Sequence, residues 1–149
     1  MIKLLHHQKS SAANQIYQTF QVSYAVEAKL LGSDDFPPLK RTAKDIMGSN
    51  TSFYGYLKED ALMAVMEIQI NQTHIHIQSL TVDPLYFRQG IGNSMLNFAL
   101  DSFPSETYTV ETGLGNIPAI RMYENFGFIK EKVWMTDVGI EKIAFILKK

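Results

Sequence analysis

The sequence predicts a mixed α/β fold, a mostly antiparallel seven-stranded sheet with helices on both faces. Three observations predict it. Seven short runs carry strand-like patterning, and helical periods separate the first run from the second and flank the fifth. The three runs between Thr51 and Val82 are joined only by turn-length segments, as antiparallel neighbours are. A length of 149 residues, without repeats or a linker, suits one domain over residues 1–149.

Taken in order, Ile2 to Leu5 reads as a first strand. From Ser10 to about Leu31, Ile16, Phe20, Tyr24 and Ala28 recur every four residues, with Tyr17 and Leu31 beside that stripe. Ser10 or Ser11 is the candidate N-cap and Gly32 the stop. Ser33-Asp34-Asp35-Phe36-Pro37-Pro38 reads as a rigid loop without regular structure, and a short helix over Thr42–Met47 ends at Gly48. The period then switches to two. Thr51–Leu57, Leu62–Ile70 and His74–Val82 read as consecutive strands, and Pro84, which has no N–H to donate, ends the third. Alternation along that third strand places His74, His76, Gln78, Leu80 and Val82 on one face. A helix over Gly90–Ser102 presents Ile91, Met95, Phe98 and Ala99 together. Tyr108–Thr112 is a strand. Pro118–Phe126 is a helix with Pro in its first turn and Gly127 just past its end. Phe128–Met135 and Ile140–Leu147 complete the set. The apolar end of the last strand, Ile143–Leu147, suits an interior position or pairing across a dimer, so monomer and homodimer both stay open.

Composition excludes several function classes. Fourteen basic against 15 acidic residues give a net charge of −1, without the basic excess of a nucleic-acid binder. Cysteine is absent, so there is no disulfide, thiolate metal site or thiol nucleophile. His74 and His76 have the i, i+2 spacing of a metal pair but lack a third ligand, and no metal is expected. No run approaches the roughly 20 apolar residues of a membrane span, and Met1–His7 is too short an apolar opening for a signal peptide. The expected location is the cytoplasm.

The informative segment is Leu80-Thr81-Val82-Asp83-Pro84-Leu85-Tyr86-Phe87-Arg88-Gln89-Gly90-Ile91-Gly92-Asn93. A buried strand ends, a loop turns, and two glycines open a helix. Glycines let main-chain N–H groups approach an anion, and the helix N-terminus adds unpaired donors and partial positive charge. Arg88 supplies a full charge beside them. Together they make a seat for a pyrophosphate. A P-loop would need a lysine after the second glycine, where Asn93 stands. A dinucleotide fingerprint would need glycine where Met95 stands, and a tight turn where seven residues separate Val82 from Gly90.

These residues resemble the acetyl-CoA signature of the GNAT superfamily of N-acetyltransferases. Arg88-Gln89-Gly90-Ile91-Gly92 matches the family form Arg-x-Gly-x-Gly, and Leu80-Thr81-Val82-Asp83-Pro84 is the family-like approach to it. A second family segment, Asn-x-x-Ala-x-x-x-Tyr-x-x-x-Gly-Phe, is present from Asn116 through Ala119 and Tyr123 to Gly127-Phe128. The resemblance runs from about residue 50 to 149, and the N-terminal helices agree with it in order. Singly, the glycines suit any helix start, Tyr123 any core and Asn116 any helix cap. In register together they single out the family.

The resemblance implies that acetyl-CoA, the acyl donor, lies where the strands His74–Val82 and Tyr108–Thr112 splay apart. Main-chain groups of Leu80, Thr81 and Val82 would pair with the pantetheine arm, Arg88 to Asn93 would hold the pyrophosphate, and Asn116 would fix the arm near the thiol. Tyr123 falls at the family's general acid. A phenol with an ordinary pKa near 10 keeps its proton at neutral pH, as that role needs. The base is open: His76, Glu67 and Glu111 are candidates, as is no base at all. On the acceptor side Tyr24, Glu27 and Phe36 are candidates, Glu27 for the charge of an amine. The implied function is acetyl transfer to a primary amine, on a small molecule, a protein N-terminus or a lysine. The alternatives are a non-catalytic acyl-CoA-binding regulatory module and a structural interaction domain.

Overall fold

The computed structural model describes residues 1–149. Its elements are β1 (Ile2–Leu5), α1 (Ser10–Leu31), α2 (Ala43–Met47), β2 (Ser52–Lys58), β3 (Ala61–Ile70), β4 (His74–Val82), α3 (Ile91–Ser102), β5 (Thr107–Gly113), α4 (Ile117–Asn125), β6 (Ile129–Met135) and β7 (Glu141–Lys148). One sheet of seven strands runs β1-β2-β3-β4-β5-β7-β6. Every pair is antiparallel except β4 with β5. The mixed, mostly antiparallel architecture is the expected one. β7 lies between β5 and β6, so Ile143–Leu147 is interior to this chain's own sheet.

The helices cover opposite faces. On one, Ala13, Ile16 and Phe20 of α1 and Ile46 of α2 pack on Leu5, Phe53 and Val65. On the other, Ile91, Met95, Leu96 and Ala99 of α3 and Tyr123 of α4 meet Ile68, Ile75, Ile77, Val110 and Phe145. Each set recurs at helical or strand spacing, which is why sequence periodicity places the elements well.

Local chemistry sets the boundaries. Gly32 ends α1 at φ 64°, a left-handed cap that glycine adopts without strain. The helix starts from Lys9 with no side-chain cap, rather than from Ser10 or Ser11. Thr42 and Asp45 form a reciprocal capping box that lets the five-residue α2 persist: the Asp45 N–H donates to Thr42 Oγ1 at 3.1 Å and the Thr42 N–H to Asp45 Oδ2 at 2.9 Å. The Pro-Pro loop is more regular than expected. Pro37–Lys40 winds into a 3-10 turn, since proline's fixed φ suits the start of one.

The face assignment along β4 needs correcting. Ser79 pairs with Glu67 and Ile77 with Ile68, which leaves Gln78 as one extra residue, a β-bulge. Ile75 and Ile77 before it and Leu80 and Val82 after it all contribute to the core beneath α3 and α4. His74 and His76 therefore share the α1 face with Ser79 and Thr81, opposite to Leu80 and Val82. Simple alternation fails here because one inserted residue inverts the parity of everything beyond it.

Glu67 is fully buried on the α1 face and accepts both guanidinium arms of Arg41, at 2.6 and 2.9 Å, and the Thr51 hydroxyl at 2.6 Å. The carboxylate raises the Arg41 pKa, chiefly through these hydrogen bonds. The guanidinium also lies over Phe20 and Phe53, 5.9 and 5.6 Å from their ring centres. Glu67→Ala strands that cation among apolar rings. It is expected to lower unfolding free energy by roughly 3 kcal/mol, read as a lower urea midpoint with an unchanged slope.

Candidate active site

β4 and β5 pair only from His74↔Thr107 to Ile77↔Val110, although β4 continues to Val82 and β5 to Gly113. Their outer edges stay occupied to the end, β4 by β3 at Val82↔Ala64 and β5 by β7 at Gly113↔Lys142. The strands therefore part, and the inner edge of Gln78–Val82 faces a gap with no strand partner. Unpaired main-chain groups of this kind can take an extended ligand as if it were another strand.

The gap leads toward the start of α3. Asp83 shapes the turn by accepting the Leu85 N–H at 3.0 Å. Arg88 and Gly90 both take left-handed conformations, φ 64° and 74°. Gly90 is the N-cap and offers no side chain, so the first-turn amides of Ile91, Gly92 and Asn93 have no cap acceptor. Arg88, Gln89 and Asn93 are exposed around them, while Ile91 is buried as the anchor of the helix. A Cβ on Gly92 would sit 3.2 Å from Met122 Sδ, so glycine here also lets α3 approach α4. Leu80 and Val82 are half-buried beside the gap. Thr81 is turned away, its hydroxyl donating to the Val65 carbonyl at 3.3 Å.

Near the other end stands Tyr123 of α4, 3% exposed, with its ring 5.6 Å from Phe128 and 5.9 Å from Phe145. Burial, then the negative charge of Glu27, then Tyr24 hold its phenol above the ordinary tyrosine range, so it is protonated at neutral pH. Tyr24 is raised likewise, first by burial and then by Glu27. Glu27 Oε1 accepts from Asn116 Nδ2 at 3.0 Å and from the Thr112 hydroxyl at 3.3 Å. No lysine or arginine pairs with Glu27. Asn116 Oδ1 accepts the Ala119 N–H at 3.4 Å and so caps α4. α1, β5 and α4 are thus tied together across the gap.

The structure brings Tyr24, Glu27, Asn116 and Tyr123 into one group, although 99 positions separate the first from the last. It adds Thr112, which sequence reasoning missed because threonine in a strand carries no functional signal of its own. Phe36 is buried, packed against Tyr24 at 5.9 Å and clustered with Ala28 and Ile140.

The base candidates are not part of that group. His76 sits in the closed, paired part of the two strands, its Nδ1 2.8 Å from Thr109 Oγ1, which also lies 2.8 Å from His74 Nε2. Burial lowers the His76 pKa, partly offset by Glu111, and the imidazole is neutral at pH 7. Glu111 receives Lys142 Nζ at 3.0 Å, and Glu67 is committed to Arg41. Nowhere do three or more His, Asp or Glu side chains converge as metal ligands do. No helix is long and apolar enough to cross a membrane.

The family model for the acetyltransferase (GNAT) family matches residues 13–128. The UPF0157 protein YqkA of Bacillus subtilis (strain 168) is 34% identical over 148 residues, 99% of this chain and 43% of YqkA. The chain thus spans less than half the length of that curated relative. Among solved structures, the ribosomal-protein-S18-alanine N-acetyltransferase of Escherichia coli superposes with a TM-score of 0.78 at 21% identity, over 99% of this chain and 92% of that one. The PaiA N-acetyltransferase of Thermoplasma acidophilum, in complex with coenzyme A, gives 0.77 at 15%, over 100% and 99%. At such identities the likeness to the solved structures is one of fold. With the family model spanning both the parted strands and the two motif segments, the chain belongs to the acetyltransferase (GNAT) family.

Proposed function

We propose that the chain moves an acetyl group from acetyl-CoA to a primary amine by direct attack. The observation that carries this reading is the unpaired β4 edge, flanked by the uncapped start of α3 and by the buried, protonated Tyr123. An extended arm ending in a pyrophosphate fits that path. Main-chain groups of Leu80 and Val82 align the arm, the amides of Gly90 to Asn93 with Arg88 and Gln89 hold the diphosphate, and Asn116 steadies the thiol end. PaiA, whose fold this chain shares, was solved with coenzyme A.

The reaction joins an amine nitrogen to the thioester carbonyl and breaks the C–S bond, giving an amide and a thiol. The chain has three tasks. A main-chain N–H near Leu80 stabilises the oxygen as it gains charge. Tyr123, protonated at neutral pH, gives its proton to the departing sulfur. Glu27, with Oε2 free of hydrogen bonds, receives the ammonium of the incoming acceptor. The amine's proton leaves through water along the α1 face. The neutral His76, its Nε2 free, lies on that face but outside the group and would take the proton only through water.

Tyr123→Phe is expected to reduce kcat by about 100-fold and to leave the acetyl-CoA dissociation constant unchanged, as read by a free-thiol assay and calorimetry. Undiminished turnover in that variant removes Tyr123 from the chemistry. No turnover by the parent protein with any amine, despite coenzyme A binding, marks a non-catalytic acyl-CoA-binding module instead. Gly90→Val forces a branched residue into a left-handed conformation, at a cost of roughly 1–2 kcal/mol, just where the diphosphate is held. Coenzyme A affinity should fall tenfold or more, whereas parent protein at 100 times Kd gains about 2.7 kcal/mol of stability. His76 accepts a proton only when neutral, so activity is full above its lowered pKa and fades as pH falls through it. The acid limb of kcat/KM should lie below pH 6.5, the ordinary histidine value, and vanish in His76→Gln.

A further inference from the structure

The C-terminal end of α1 presses against the turn between β5 and α4. A Cβ on Gly113 would lie 2.5 Å from Leu31 Cδ2, and one on Gly115 would lie 3.1 Å from the Leu30 carbonyl oxygen. Beside this contact lies a cavity of about 330 Å³ whose apolar lining is Leu30, Leu31, Leu114, Met135 and Ile140. Three segments that meet only in the folded chain build it: the end of α1, the β5–α4 turn and the β6–β7 hairpin. Leu30 and Met135 are 49% and 59% exposed, so these side chains are not consumed by the chain's own core.

We propose that this cavity holds the carbon skeleton of the acceptor, making the substrate a small primary amine with a branched aliphatic or aromatic group. The inference rests on the acetyl-transfer reading above and names its substrate class. Glu27 lies three and four residues before Leu30 and Leu31, one helical turn away on the same side of α1. Gly115 of the cavity adjoins Asn116, which donates to Glu27. An ammonium against the free oxygen of Glu27 would have the cavity about one turn of helix, roughly 5 Å, further on.

The charges fit one cation. Glu27 is half-buried and lacks a basic partner, so an ammonium satisfies a carboxylate already withdrawn from water. The one carboxylate that lines the cavity, Glu141, is exposed, where solvent screens it. A polyamine would bring a second ammonium to mostly apolar walls and find only that screened charge. Size also limits the ligand. Ligand pockets run from roughly 300 to 1,000 Å³, and a cavity at the small end takes a group the size of one side chain.

The test compares leucinamide, phenethylamine, glycinamide and spermidine as acceptors for the intact protein, with calorimetry of leucinamide on the coenzyme A-loaded protein as a second readout. Leucinamide and phenethylamine should exceed glycinamide in kcat/KM by roughly tenfold or more. Leu30→Asp and Met135→Asp, both at exposed positions, should erase that preference, while Val22→Asp, elsewhere on the exposed side of α1, should retain it. Equal rates for leucinamide and glycinamide, or preference for spermidine, overturn the proposal while leaving amine acetylation standing. Leucinamide that binds the loaded protein without being acetylated overturns the proposed substrate class, while the catalytic reading falls only if no amine is turned over. Folded, coenzyme A-loaded protein that neither binds nor acetylates leucinamide overturns the assignment.

Discussion

The parting of β4 from β5 is the constraint on which the rest depends. Two parallel strands that stayed paired would bury their amides and carbonyls in each other and present nothing to a ligand. Here the outer edges are held by β3 and β7 to the last residue, so the break falls on the inner edges alone. The bulge at Gln78 lies directly after the final β4–β5 pair, at Ile77. A bulge bends and twists its strand, which gives the separation a local cause. The gap is also the one place where helices from opposite faces reach the same space: Tyr24 and Glu27 come from α1, Asn116 and Tyr123 from α4.

That meeting has an electrostatic consequence. Glu27 is a carboxylate with hydrogen-bond donors but no cation, and its charge raises both Tyr24 and Tyr123 after burial has already done so. Each effect disfavours a phenolate. Both phenols are therefore protonated at neutral pH. The same charge would attract an ammonium, so on the proposed reading Glu27 would also bind the acceptor. Glu67 illustrates the contrast. It is more deeply buried, yet Arg41 and Thr51 occupy its oxygens and make it part of the framework.

Much of the fold was legible because its signals are local. The stripe from Ile16 to Ala28, the glycines at 32 and 127 and the proline at 84 each act within a few residues of the boundary they set. The start of α3 was legible for the same reason, since Arg88, Gly90 and Gly92 build their surroundings from their own backbone. What sequence alone misplaced was the side of the sheet on which His76 lies. A bulge arises from the pairing of two strands, and Gln78 looks like any polar residue in an alternating run. The Arg41–Glu67 pair, 26 residues apart, and the Glu27–Thr112 contact, 85 apart, depend on tertiary placement that no short window contains.

The two halves of the site are therefore built by different means. On the proposed reading the donor side would use main chain: an open strand edge, a helix start and glycines that keep side chains out of the way. Such a seat tolerates change at most positions provided the backbone path holds, because its contacts are made by atoms every residue has. On the same reading the acceptor side would use side chains from the end of α1, the β5–α4 turn and the β6–β7 hairpin. Glycines at 113 and 115 hold the first two in register, since a Cβ at either would drive Leu31 and the Leu30 carbonyl away. Substitution at Leu30, Met135 or Glu141 can reshape what the acceptor meets without disturbing the strands beneath. Specificity for an amine acceptor would thus belong to the segments where a residue's side chain, rather than its backbone, decides the contact.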